Sequence, residues 1–166
     1  MPATSAAKPL FVRSRTRRYT AASPDEIVEA ARDLIDQRLQ RGTSFANPGA
    51  AAAYFQGKLA GFEREVFAAA FLDTRHRLIE YQELFHGTID GAEVHPREVV
   101  RHALRCNAAA LIVAHNHPSG TPEASAADRA VTLRLKQALA LVDIRLLDHI
   151  VVAGSATQSM ASLGLI

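Results

Sequence analysis

The amino-acid sequence predicts an α/β or α+β domain in which helices pack against a β-sheet. The chain has 166 residues, of which 48% are hydrophobic and 22% charged, as expected for one globular domain with its own core. Segments of helical spacing and apolar runs of strand length alternate in the order αα-ββ-α-β-α-β. The single cysteine excludes an internal disulfide framework and a cysteine-rich zinc site.

The two helices expected first have clear start signals. Ser23 is a good N-cap before Pro24, and apolar residues then recur at helical spacing until Gly42, a natural stop. An Asn-Pro pair at 47–48 opens an alanine-rich helix that we expect to run to about residue 58. These residues therefore predict a helical segment near the N-terminus.

The rest of the chain alternates between strands and helices. Residues 108–114 are wholly apolar and end at His115, which is typical of a central buried strand. Ser125 caps a helix that we expect to reach about residue 140. The other predicted elements are strands at 65–72, 77–85 and 144–153 and a helix at 96–106.

Charge separates the N-terminus from the remainder. Residues 1–20 contain no acid and five of the 19 basic residues: Lys8, Arg13, Arg15, Arg17 and Arg18. The other 14 basic residues stand against 17 acidic ones, so the remainder carries a net −3 although the whole chain is +2. We expect a flexible basic arm at 1–22, a helical segment at 23–60 and the main domain at 61–166, with any contact to DNA made by the arm.

Targeting signals are absent from the sequence. The arm has no apolar core of signal-peptide length, and the longest stretch without charged residues, 149–166, is too polar to span a bilayer. Together with the low cysteine count, these observations predict a cytoplasmic protein without membrane contact.

The segment that carries chemistry is His115-Asn-His117-Pro-Ser-Gly, followed by Ser125-Ala-Ala-Asp128. Side chains two apart on an extended chain point to the same side, so both imidazoles face one place at the end of a strand. Asp128 lies in the first turn of the next helix, and the intervening Pro/Gly-rich loop can bring it close. Two histidines and one carboxylate suit a catalytic zinc ion with an open fourth position.

Two points remain open from spacing alone. Ser-x-x-acid before an apolar run is also a capping-box signature, which Ser125 and Asp128 can satisfy while serving the site. A zinc hydrolase further needs a proton carrier that is not a metal ligand. Glu65, which heads an apolar strand, is the best candidate, but its neighbour Glu63 has an equal charge and is not excluded.

The pattern His115-x-His117-x7-Ser125-x2-Asp128, with an upstream glutamate, resembles the JAMM motif of JAB/MPN metalloproteases. The words Phe-His-Gly-Thr at 85–88, Pro-Arg-Glu-Val at 96–99 and Leu-Asp-His-Ile at 147–150 are similar to the RadC branch of this family. The resemblance covers about residues 60–153. It implies a mixed β-sheet flanked by helices, of the cytidine-deaminase-like type, with the metal-binding domain at 61–166.

The resemblance also implies an activity. One zinc ion per chain is held by His115, His117 and Asp128, Glu65 is the general acid/base, and Ser125 steadies the oxyanion. The reaction is then hydrolysis of an amide or isopeptide bond by Glu-assisted attack of zinc-bound water. No Gly-rich hairpin between paired helices occurs at 23–60, so we expect the short form, without the helix-hairpin-helix, that is often met on mobile elements.

A second hypothesis is a binding module for DNA or for a repair or replication assembly. It depends on the basic arm and on a stripe of arginines at four-residue spacing, Arg97, Arg101 and Arg105, whose default interpretation is a solvated face. A zinc deaminase is excluded because its Pro-Cys-x-x-Cys motif needs two cysteines and the chain has one. A serine hydrolase is not indicated either, because the sequence contains no Gly-x-Ser-x-Gly motif.

The sequence also yields predictions for three further residues. His149 is expected to be a structural histidine, with support of the zinc site as the alternative. Asn116 is expected to shape the loop or to bind substrate. Cys106 is expected to pack in the interior, because no histidine partner is apparent for it.

Overall fold

The computed structural model describes residues 10–13, 18–38, 42, 44–45, 47–87 and 93–166. Within these residues it has four helices, a two-stranded sheet and a five-stranded mixed sheet. The helices are α1 (Pro24–Arg38), α2 (Pro48–Leu59), α3 (Pro96–Arg105) and α4 (Ala126–Ala140). The strands are β1 (Phe11–Arg13), β2 (Tyr19–Ala21), β3 (Val66–Leu72), β4 (Leu78–His86), β5 (Ala110–Asn116), β6 (Arg145–Ala153) and β7 (Ala156–Ser159).

The main sheet has the strand order β4-β3-β5-β6-β7. Strand β5 pairs antiparallel with β3 and parallel with β6, while β4 and β7 lie antiparallel at the two edges. The parallel pair needs a crossover, which α4 supplies between β5 and β6. The predicted fold class, a mixed sheet flanked by helices, is confirmed.

The start signals of the helices act as predicted. The Ser23 hydroxyl accepts a hydrogen bond from the backbone N–H of Glu26, and the Glu26 carboxylate accepts one from the N–H of Ser23. At α2, the side chain of Asn47 accepts a bond from the N–H of Ala50. The two bonds at α1 and the one at α2 satisfy backbone N–H groups of the first helical turn, which have no partner inside the helix.

Two strands lie within the first 22 residues, where no strand was predicted. Strands β1 and β2 pair antiparallel as a small hairpin within the predicted arm, with Phe11 opposite Ala21. Phe11 and all three residues of β2 are exposed, so this hairpin is not part of the core. Three of the five basic residues of the arm, Lys8, Arg15 and Arg17, lie outside the described residues.

Strand β5, Ala110–Asn116, has the same length as the predicted 108–114 but lies two residues further along the chain. It ends at Asn116, so that His115 belongs to the strand and does not follow it. The reason is pairing on both sides: His115 lies opposite Phe67 of β3 and beside Val151 of β6. A residue held in two ladders cannot leave the strand conformation, whereas sequence pattern shows only the end of the apolar run.

The sheet has a hydrophobic core on each face, which explains why its central strands are apolar throughout. Helix α2 covers one face, where Phe55 and Leu59 pack against Ala68 and Ala70. Helices α3 and α4 cover the other face, where their residues pack against the alternate positions of β3: Phe67, Ala69 and Phe71. His115 follows Leu111 and Val113 at alternate positions of β5, and His149 of β6 lies beside Val113, so both imidazoles are on this second face and point towards α4. No helix of the described part of the chain is long and apolar enough to cross a membrane.

The small side chains of β3 generate a testable prediction. Ala69 is fully buried between β3 and the two helices, so Ala69→Leu overpacks the core and lowers the free energy of unfolding by about 1–3 kcal/mol. Chemical denaturation measures the loss. Ala53→Leu, at an exposed position of α2, is the matched control and leaves the stability within about 0.5 kcal/mol. Equal effects of the two substitutions would contradict this account of the core.

Candidate metal centre

The end of β5 and the first turn of α4 bring three potential metal ligands together. His115 Nε2 lies 2.8 Å from His117 Nε2 and 3.3 Å from Asp128 Oδ1, and His117 Nε2 lies 3.5 Å from Asp128 Oδ2. One ligand atom from each residue lies within 4.8 Å of the others, and the group could hold a metal ion. These are the three residues predicted as ligands from the sequence, and the structure brings them together.

His117 is oriented by the turn that follows the strand. Its backbone carbonyl accepts a hydrogen bond from the N–H of Gly120, whose φ of +82° is readily adopted only by glycine. The turn brings the carbonyl of Thr121 to 2.7 Å from His117 Nδ1. Because a carbonyl oxygen can only accept, Nδ1 carries the hydrogen, and the lone pair of Nε2 points towards His115 and Asp128.

Asp128 is held by the cap of α4. The Ser125 hydroxyl accepts a bond from the Asp128 N–H, and Asp128 Oδ2 accepts one of 2.7 Å from the Ser125 N–H. Burial alone would raise the pKa of Asp128, but its contacts with His115 and Ser125 outweigh burial and hold this pKa well below its usual value. The predicted capping box is confirmed, and the same carboxylate faces both imidazoles.

The spacing and chemistry of these atoms fit zinc. Ligands bonded to a tetrahedral zinc ion at about 2.0–2.1 Å lie roughly 3.3 Å apart. The two imidazole–carboxylate distances, 3.3 and 3.5 Å, match this edge, and the imidazole pair at 2.8 Å is somewhat closer. Two nitrogen lone pairs this close repel each other, and a cation between them relieves the repulsion.

Glu65 lies beside this triad, and Glu63 does not. A cavity of about 510 Å³ is lined by all three potential ligands and by Glu65, Phe67 and Ser125. Glu65 and Phe67 are two residues apart at the start of β3, so their side chains share the face on which His115 lies. Glu63 is exposed and lines a different depression, next to α1. The position favours Glu65, although its catalytic role stays a prediction.

Ser125 lines the same cavity with an exposed side chain. Its hydroxyl oxygen accepts the bond from Asp128, so the hydroxyl hydrogen is left to donate elsewhere. The predicted contact with an oxyanion is therefore compatible with the capping role that the structure gives this residue.

Asn116 has a role that the sequence analysis missed. Its side chain is buried on the opposite side of β5 and binds the segment before β3: Oδ1 accepts from the N–H of Val66, and Nδ2 donates to the carbonyls of Phe62 and Arg64. These three bonds, of 2.7, 3.3 and 2.9 Å, fasten the backbone on both sides of Glu65. No local signal reveals this, because the partners are about 50 residues away.

His149 is completely buried next to His115, with 2.8 Å between its Nε2 and His115 Nδ1. Burial holds the pKa of His149 well below its usual value. Asp148 points away and accepts bonds from the N–H groups of His149 and Ala161 and from the hydroxyl of Ser159. The alternative prediction, that His149 supports the site, is favoured by this position.

The arginine stripe of α3 is not a free basic surface. Arg97 and Arg101 both form ion pairs with Glu98, and Arg105 pairs with Glu80. These pairs reduce the positive charge that a nucleic acid would meet.

Cys106 is the C-cap residue of α3 and is partly buried. Burial raises the pKa of its thiol, which disfavours a reactive thiolate.

A protein-family model described as a RadC-like JAB domain matches residues 45–165. The chain belongs to this RadC family. Its predicted membership is thereby confirmed, and a JAB domain supports a JAMM-like hydrolase at the level of the superfamily.

Relatives of this RadC-family chain carry the name UPF0758 protein. One from Vibrio cholerae is 53% identical over 154 residues, which are 93% of this chain and 97% of the relative. One from Xanthomonas campestris is 59% identical over 135 residues, 81% of this chain and 60% of the relative. One from Xylella fastidiosa is 60% identical over 126 residues, 76% of this chain and 56% of the relative. The chain thus spans nearly all of one relative and less than two thirds of the others.

Asp128 both faces the imidazoles and caps α4, so its replacement by asparagine and by alanine should affect stability differently. In Asp128→Asn the amide oxygen still accepts from the Ser125 N–H, so the cap survives, but the lost charge weakens metal binding. Asp128→Ala loses the metal and also the bond from the Ser125 N–H, while the bond from the backbone N–H of residue 128 to the Ser125 hydroxyl remains, so the unfolding free energy falls by about 0.5–1.5 kcal/mol. Elemental analysis after zinc is supplied, with thermal denaturation, checks both. Asp143→Asn, an exposed acid beyond α4, is the control, and equal zinc in Asp128→Asn and the parent would contradict the ligand assignment.

Asn116→Ala is expected to loosen the segment that carries Glu65. It leaves buried backbone groups of residues 62–66 without partners, which lowers the free energy of unfolding by about 1–3 kcal/mol. Hydrogen exchange of the amides at 62–66 should accelerate while that of α4 changes little. Ser119→Ala, at an exposed loop position, is the matched control. Unchanged exchange at the Val66 amide would show that Asn116 does not hold this segment.

Proposed function

We propose that this RadC-family chain is a zinc-dependent hydrolase, a metallopeptidase that cleaves amide or isopeptide bonds. The observation that carries the proposal is the convergence of His115, His117 and Asp128 beside a carboxylate, Glu65, that is not one of the three. A purely structural metal site has no use for an adjacent free acid, whereas hydrolysis requires a proton carrier. Membership of the JAB family supports the same reaction class.

His115, His117 and Asp128 would hold the ion. Two imidazoles and one carboxylate form a donor set typical of catalytic zinc, since three protein ligands leave one position open. Zinc bound there would supply Lewis acidity towards a carbonyl oxygen and lower the pKa of a coordinated water to about 7. The protein must then provide orientation of the substrate and transfer of a proton.

Glu65 performs the proton transfer. Its carboxylate accepts the proton that water loses as the oxygen attacks the amide carbon, and it returns this proton to the nitrogen as the carbon–nitrogen bond breaks. The products are a carboxylic acid and an amine, so the atoms of water and amide are accounted for. The bonds from Asn116 to the backbone at Arg64 and Val66 support this role, because they hold the glutamate at the cavity wall.

Ser125 stabilises the negative charge that develops on the carbonyl oxygen. Its hydroxyl hydrogen is not used by the cap of α4, and its side chain lines the cavity. A donor already fixed before the reaction needs no reorganisation when charge develops, which is why such groups contribute strongly to catalysis.

Glu65→Gln tests the proposal, with Glu63→Gln as the matched control. The first variant keeps the volume of the side chain but cannot accept a proton, so we expect hydrolysis to fall by about 10²–10⁴-fold with zinc content unchanged. The second should keep both zinc and activity, because Glu63 faces another depression. The assay uses a panel of fluorogenic peptides and lysine-linked isopeptides, with zinc measured by elemental analysis.

Three results would contradict the proposal. One is a zinc-loaded parent protein that cleaves no member of the panel. Another is full activity in Glu65→Gln, and the third is an equal loss of activity in the two glutamine variants. In the last case the loss of activity would arise from the lower negative charge of the segment and not from the position of Glu65.

A further inference from the structure

A chain of three buried side chains leads away from the metal centre towards the middle of α4. His115 Nδ1 lies 2.8 Å from His149 Nε2, and His149 Nδ1 lies 2.5 Å from the hydroxyl oxygen of Thr132. The relative exposures of these residues are 1%, 0% and 1%, so the chain is shielded from solvent. Each atom along it can be a donor or an acceptor, so the direction of the chain has to be set at one end.

The backbone of α4 sets this direction. The Thr132 hydroxyl oxygen lies 2.6 Å from the carbonyl oxygen of Asp128, one helical turn earlier. Two oxygens at this distance need a hydrogen between them, and a carbonyl has none to give, so the hydroxyl donates to Asp128. Two other atoms of the described residues could accept from this hydroxyl. The sulfur of Met160 at 3.5 Å is a weak acceptor, and His149 Nδ1 at 2.5 Å can donate instead, which the carbonyl of Asp128 cannot.

The remaining hydrogens follow from this one. Since the single hydroxyl hydrogen of Thr132 is directed at Asp128, its oxygen accepts from His149 Nδ1–H. His149 Nε2 then has a lone pair and accepts from His115 Nδ1–H. The neutral imidazole of His115 then has no hydrogen on Nε2, the atom that faces His117 and Asp128. His117 reaches the same state through its own bond to Thr121.

We propose that Thr132 and His149 are positioning residues that select the tautomer of His115 with a free Nε2, and so prepare this nitrogen to bind a metal cation. The choice of zinc rests on the function proposed above. If the chain of bonds ran in the opposite direction, His149 Nε2–H would donate to His115 Nδ1, and the hydrogen would sit on His115 Nε2. An imidazole in that state cannot bind a metal without losing a proton.

The hydrogen-bond partner of His115 differs from the usual partner of a metal-ligating histidine. A ligating histidine usually donates its second N–H to a carboxylate, a carbonyl or water, each of which fixes the tautomer directly. The partner of His115 is an imidazole, which can either accept or donate, so the tautomer depends on a hydroxyl two bonds further away. Loss of that hydroxyl should therefore reach the metal site even though Thr132 is not in contact with His115.

Thr132→Val and Thr132→Ser test this inference. Valine keeps the shape and removes the hydroxyl, whereas serine keeps the hydroxyl. In the metal-free protein, nitrogen NMR of labelled histidines should show His115 with its hydrogen on Nδ1 in the parent and in Thr132→Ser, and a mixture of tautomers in Thr132→Val. Titration with Co²⁺, followed by its visible spectrum, should show affinity about 10–100-fold weaker in Thr132→Val only.

Thermal denaturation establishes that both variants fold. If Thr132→Val does not, His149→Gln and His149→Leu replace the pair, since glutamine retains an oxygen that accepts from His115 and leucine does not. The inference is overturned if the parent carries the hydrogen on His115 Nε2, or if valine and serine variants bind Co²⁺ equally with the same tautomer. A parent protein that selects this tautomer and binds Co²⁺, but cleaves no peptide or isopeptide, supports the inference and overturns the proposed hydrolase function.

Discussion

Strand β5 is hydrogen-bonded to β3 on one edge and to β6 on the other, and the relative positions of His115, Glu65 and His149 depend on this double pairing. The pairing holds His115 in the strand, opposite Phe67 and beside Val151. It also places Glu65 at the head of one neighbouring strand and His149 on the other. Backbone paired on both edges cannot shift independently, so side chains carried on it keep their relative positions.

The cap of α4 adds the last ligand. Ser125 and Asp128 satisfy backbone donors that an isolated helix would leave without partners, and the same bonds orient the Asp128 carboxylate towards the two imidazoles. Helix stability and ligand geometry are therefore supplied by one pair of residues. The functions do not compete, because one carboxylate oxygen accepts from the backbone while the carboxylate as a whole still faces the imidazole nitrogens.

Local patterns were sufficient for much of the fold and for the ligand set. The caps at Ser23, Asn47 and Ser125 and the apolar runs of β3 and β5 predicted helices and strands close to those observed, because caps and periodicity act within a few residues. Two results lay beyond such patterns. The end of β5 depends on pairing with strands distant in sequence, and the hairpin of β1 and β2 arises in a segment without strand periodicity.

The sequence by itself determined the chemistry of the site: two histidines at alternate positions, a serine and an acid at helix-capping spacing, and no thiolate alternative. Only the tertiary structure placed Glu65, and not Glu63, at the cavity of the candidate metal centre, and brought Asn116 to Val66 and His149 to His115. The physical reason is range. Residue type and capping are properties of a few neighbouring residues, whereas a hydrogen bond between Asn116 and Val66, or between His149 and His115, exists only after the sheet has brought distant segments together.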